Sequence, residues 1–199
     1  GIRGVEGILT VGDAATAGLF MGASILVSIS FGPILLSVTP TPAADVTRPM
    51  ALRSLFQSSP LGTVGIFLLG TIYATQSGMG AVYGTQVGMS ANEIALFIAM
   101  LFGGALLLQF PIGWLSDRMD RRTLILGCSV LGAVFCVLGW INGPDLWFLM
   151  GAAFLTGGVT TPLYALILAY TNDALDPADM PAASGGLVMT FGIGAILGP

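Results

Sequence analysis

The sequence predicts an all-α, polytopic transmembrane helical bundle, and three observations carry that prediction. Hydrophobic residues make up 55% of the 199, and the mean hydropathy is +0.92. A soluble globule of this length could not hide so much apolar side chain behind its polar residues. The apolar residues fall in successive runs, each long enough to cross a hydrocarbon core of about 30 Å, which takes roughly 17 to 25 helical residues. No run shows the ten-residue alternation of a barrel strand, and backbone N–H and C=O groups cannot stay unpaired in lipid, so the runs are read as helices.

Taken in order, residues 1–12 read as the end of one helix and residues 17–39 as a complete span. The connection 40–61 holds Pro40, Pro42, Pro49 and Pro60, is the longest in the chain, and is the expected boundary between two helical bundles. Complete spans follow at 62–87, 94–115, 123–141 and 147–171, and another begins near Ser184 and reaches Gly198-Pro199 in mid-run. Gly1 stands where an initiator Met would, and no signal-peptide pattern opens the chain, so a piece of a longer membrane protein is expected.

Charge sets the orientation. All six basic residues are arginines, and Arg48, Arg53, Arg118, Arg121 and Arg122 fall in connections on the same side of the bilayer. The positive-inside rule makes that side cytoplasmic. The short connections on the other side carry Glu93 and Asp145 and no arginine, whereas the connection 172–183 carries Asp173, Asp176 and Asp179, which weigh little in the rule.

Several chemistries find no residues to carry them. The chain has no histidine, its net charge is −4, and its two cysteines, Cys128 and Cys136, share one apolar run, where both read as small packing residues. No metal site, cofactor or nucleic-acid partner is expected. No carboxylate sits at membrane depth in the complete spans to act as an acid or base, so no catalytic residue and no enzyme is expected.

The densest polar segment is "GWLSDRMDRR", residues 113–122, between two apolar runs. Gly113 has no side chain to hold a neighbouring backbone off, and Asp117, one turn later on the same face, could accept from the amides that open a neighbouring helix. Arg121 and Arg122 open the next helix, where their charge opposes the helix dipole, so they want carboxylate or lipid-phosphate partners.

This segment resembles the signature G-x-x-x-D-R-x-G-R-[KR] of the major facilitator superfamily, with Asp120 where the family usually has glycine. The resemblance implies half of a twelve-helix transporter of the bacterial drug-efflux-like branch, multi-pass in the bacterial inner membrane. Residues 1–39 would hold a partial fifth and a sixth helix. The connection 40–61 would join the halves, and 62–199 would be the C-terminal half as far as the eleventh helix. It implies a gating motif of Gly113, Asp117, Arg118, Arg121 and Arg122, with Asp173 as a second carboxylate for Arg121. The bland alternative is that the arginines only set topology, which explains them but not Gly113 and Asp117 at that spacing. Gly185, Gly194, Gly198 and Pro199 reproduce the spacing of the family's antiporter motif and also suit close helix packing.

At 100° per residue, Tyr73, Gln76, Ser77, Gly80 and Tyr83 share a third of one helix, and Gly157, Thr160, Tyr164 and Thr171 share a face of another beside Pro162. The expected solute cavity is lined by Tyr73, Gln76, Tyr83, Thr160 and Tyr164, with Gln109 as a further member. Such a lining suits a neutral, amphipathic or aromatic solute. The expected partners are a small solute, protons if transport is coupled to them, the bilayer, and the other half of the same protein. The alternative is a membrane sensor or assembly protein of the same fold, whose polar stripes glue helices together.

Overall fold

The structure, a computed structural model, describes residues 21–22, 24–36, 51–141, 143 and 145–199. The expected helix end at 1–12 and Pro40, Pro42, Arg48 and Pro49 of the connection lie outside the described residues. Contacts divide the chain into two compact units, residues 1–45 and 46–199, taken here one at a time. In the first, residues 24–30 are helical, Phe31 is a turn, and α1 (Gly32–Leu35) follows. The large side chains recorded there are exposed, Leu35 and Leu36 most of all.

The second unit is all helix: α2 (Leu52–Ser58), α3 (Pro60–Ala74), a π turn (Thr75–Met79), α4 (Gly80–Gln86), α5 (Ala91–Ser116), α6 (Arg121–Ile141), α7 (Leu146–Asp173) and α8 (Met180–Leu197). Four of these are long and apolar enough to cross a membrane, and α2 with α3–α4 forms a fifth candidate bent by 117° at Ser59. The bend has local causes. Pro60 cannot donate to the preceding turn, and buried Ser59 accepts from Gly62 N at 3.3 Å, capping a new helix instead of continuing the old one. α2 was expected to be part of the connection; it is helical because Leu55, fully buried, packs against Ala183, Leu187 and Gly186 of α8.

Caps start the long helices. Ser90 and Glu93 bond reciprocally in a capping box before α5, and Asp145 accepts from Phe148 N at 2.9 Å before α7. The two acidic residues of the arginine-free side are therefore helix starts. α7 runs on through Pro162, as α5 does through Pro111.

The principal pairings are α5 with α7, α3 with α8, and α6 with α7. Glycine makes the first two possible. A Cβ on Gly104 would run into the Phe154 carbonyl of α7, and one on Gly194 into the Phe67 carbonyl of α3. Hydroxyls add to the second seam, since Thr71 of α3 and Thr75, the first residue of the π turn, donate to the carbonyls of Gly194 and Gly198 at 3.1 Å each. Large apolar side chains consequently point outward: Leu106 and Phe110 are 76% and 80% exposed. That is the expected surface of a protein whose solvent is lipid.

Gly103, beside Gly104 on α5, has open space where its Cβ would be. Gly104→Val should therefore abolish a monodisperse, thermally cooperative full-length protein in detergent, while Gly103→Val keeps its elution profile and unfolding midpoint. Equal behaviour of the two variants in size-exclusion chromatography and thermal scans would refute the seam.

Candidate gating turn and solute cavity

α5 ends and α6 begins across four residues, and side chains lock both margins of that turn. Arg118 lies 3.8 Å from the centroid of the Trp114 ring and donates from Nη1 to the Trp114 carbonyl at 3.2 Å, satisfying a carbonyl at the end of α5. Asp120 Oδ2 accepts from Thr123 N and Oγ1 at 3.0 and 3.1 Å, capping α6. No residue of the turn needs a left-handed backbone, so aspartate fits where the related motif has glycine.

Arg121 Nη1 donates to Asp173 Oδ2 at 2.8 Å, joining the first residue of α6 to the last of α7. Each charge sits at the wrong end of its own helix and beside the favourable end of its neighbour's. The side chains are 32% and 59% exposed, so the pair contributes about 1 kcal/mol or less. Arg122 is exposed. Asp117 is also exposed, and its carboxylate has no recorded partner among the described residues; Gly113, one turn earlier, has open space where its Cβ would be. The close neighbour expected at Gly113 is thus not among the described helices.

The residues expected to line one cavity are distributed over three places. A cavity of about 610 Å³ between α4, the end of α6 and the starts of α5 and α7 takes in Gln76 and Tyr83, with Phe97, Phe135 and Trp140 as further aromatic walls. A recess of about 70 Å³ is lined by Tyr73, Gln76, Ser77, Gly157 and Thr161. Gln109 lies elsewhere, with Gly113 and Asp117 along the outer face of α5.

Thr160 and Tyr164 line neither. Thr160 is buried, donates to the Thr156 carbonyl at 2.8 Å, and accepts from Gln76 Nε2 at 3.4 Å. Tyr164 packs edge-on against Phe191, with centroids 5.6 Å apart, and Thr171 is fully buried against Gly62. Thr160, Tyr164 and Thr171 of α7 are therefore taken up by packing and hydrogen bonds inside the bundle. On the α3–α4 helix the physical reason is the π turn. A π turn takes up an extra residue, rotating everything after it by about 100° relative to an unbroken α-helix, so Tyr73 and Tyr83 face different cavities.

Two further placements differ from expectation. Cys128 is buried, but Cys136 is exposed and lines the large cavity. Of the glycine motif, Gly194 and Gly198 meet the α3 backbone at Phe67 and Thr71, Pro199 edges the cavity, and Gly185 faces open space.

Long apolar helices sealed by glycine, with an arginine-rich capped turn at one end, define a polytopic membrane protein of a transporter fold. The comparisons agree: the Major Facilitator Superfamily description matches residues 62–199, and the chain belongs to that family. Its relatives include the MFS-type transporter YfkF of Bacillus subtilis, 29% identical over 75% of this chain and 39% of YfkF. The MFS-type transporter YcaD of Escherichia fergusonii is 26% identical over 78% of this chain and 38% of YcaD. YcaD of an Escherichia coli O7:K1 strain is 27% identical over 79% and 39%. The chain thus spans about two fifths of these relatives' length. No solved structure matches it.

These placements make a labelling pattern. In the full-length protein with Cys128 and Cys136 replaced by alanine, cysteines at Tyr73 and Tyr83 should react with a small maleimide, whereas cysteines at Thr160 and Tyr164 should react at least about tenfold more slowly. Equal rates at the four positions, measured by mass shift, would contradict the division of the polar stripes.

Proposed function

We propose that the full-length protein is a secondary transporter of the bacterial inner membrane that moves a small, uncharged, amphipathic or aromatic solute by alternating access, with proton-coupled efflux as its mode. Family membership supports a transporter, and the ion pair between Arg121 and Asp173 is the single observation that carries the gating reading. It ties the cytoplasmic starts and ends of two helices at a turn that otherwise holds only caps. Both residues lie in the half that follows the connection 40–61, so the pair holds together the turn that Asp117 presents.

In this reading Asp117 is the second half of the latch. Its exposed carboxylate pairs, in the closed state, with groups of the helical half that precedes the connection 40–61. Closing the cytoplasmic side then holds the outward-open state, and rocking of one half against the other opens it. The solute class follows from walls without charge: the large cavity is lined by aromatic and aliphatic side chains, with Gln76, Gln86 and Tyr83 to orient a polar group.

Full-length protein in proteoliposomes with an internal pH dye tests both parts. Lipophilic and small neutral solutes added across an imposed proton gradient should drive proton movement, and Asp117→Arg should abolish it with membrane insertion intact. Solute flux without proton movement would replace coupling by uniport. Normal flux by Asp117→Arg would end the latch role, and no flux with any solute would favour a non-transporting protein of the same fold.

A further inference from the structure

Asp120 stands immediately before a helix that begins with two arginines. α6 has no acidic residue in its own first turn, so Arg121 and Arg122 place two positive charges at the positive end of the helix dipole with nothing in the helix to offset them. Asp120 supplies the missing carboxylate. Its Oδ2 holds Thr123 twice, through N at 3.0 Å and Oγ1 at 3.1 Å, while its main-chain carbonyl accepts from Leu124 N at 3.1 Å as the first bond of the helix.

The consequence reaches Arg121. That residue lies between the cap and the turn the cap closes, so fixing Thr123 and Leu124 fixes the backbone from which Arg121 extends to Asp173. Arg118 is already committed to Trp114 on the far side of the turn, which leaves Asp120 as the group that sets where α6 begins. A residue without a side-chain oxygen here would leave the Thr123 amide and hydroxyl without this acceptor, and among such residues alanine opens a helix far less well than aspartate.

We infer that Asp120 is a positioning residue that aims Arg121 at Asp173 by capping α6. What the aimed pair does for gating rests on the transporter reading above; the positioning itself does not.

The test measures coupling between Arg121 and Asp173 in the full-length protein, with a double-mutant cycle of Arg121→Gln and Asp173→Asn read by reversible unfolding. The cycle is run in the native background, in Asp120→Asn, which keeps the acceptor, and in Asp120→Ala, which removes it. Coupling of about two- to fivefold in the unfolding constant is expected for the native protein and Asp120→Asn, and none for Asp120→Ala. Where a variant does not unfold reversibly, hydrogen exchange of the Thr123 and Leu124 amides should be about two- to thirtyfold faster in Asp120→Ala and unchanged in Asp120→Asn.

Coupling that survives in Asp120→Ala, or that is absent from the native protein, would overturn the inference, as would unchanged exchange in Asp120→Ala. Coupling lost in Asp120→Ala with solute flux at its native rate would leave the positioning role standing and remove the latch.

Discussion

The bundle depends on the close approach of helix backbones at glycine. In lipid, an apolar side chain gains little by leaving hydrocarbon for protein, so helix association rests on packing and on hydrogen bonds that cross the seam. Gly104 and Gly158 let α5 and α7 meet carbonyl to backbone, and Gly70, Gly194 and Gly198 do the same for α3 and α8. Once these seams are set, the bulky side chains have one place left to go. Leu106, Phe110 and Trp147 point outward, and the buried cluster is left to Leu, Ile, Val, Ala and Cys128, which fit between tightly apposed helices.

The same solvent drives ionised groups to the helix ends, where they take on structural work. Glu93, Asp120 and Asp145 each satisfy amides that open a helix, and Arg118 satisfies a carbonyl that closes one. Arg121 and Asp173 are arranged differently, because each opposes the dipole of its own helix and is stabilised by its neighbour. Such a contact depends on how two helices sit against each other rather than on either alone. That property suits the gate proposed for this end of the molecule.

The spans were legible because hydrocarbon demands uninterrupted apolar length. The expected 94–115, 123–141 and 147–171 became Ala91–Ser116, Arg121–Ile141 and Leu146–Asp173, each longer at its start and the first and third also at their ends. Caps account for the larger differences at the starts: Ser90 and Asp120 draw the polar residues that follow them into a first helical turn, and hydropathy does not count those residues. α2 was missed for a related reason. Seven residues containing Arg53 and Ser54 carry no span signal, and the partner that buries Leu55 lies on α8, far away in sequence. Of the candidate site, the pairing of Arg121 with Asp173 could be anticipated from the motif, whereas the cavity was only partly readable. A helical wheel assumes constant rotation per residue, and the π turn at Thr75–Met79 breaks it between Tyr73 and Tyr83.

The sequence by itself determined the solvent, the helical class, the order of the spans and the gathering of arginines at one side, because each follows from the cost of placing backbone or charge in hydrocarbon. Which polar side chains face open space was decided only by the tertiary structure. Thr160 and Tyr164 share a face with lining residues on paper, yet Gln76 and Phe191 occupy them in the fold. Lipid penalises an unsatisfied hydroxyl wherever it lies, and only the neighbouring helix settles whether its partner is another side chain or a cavity.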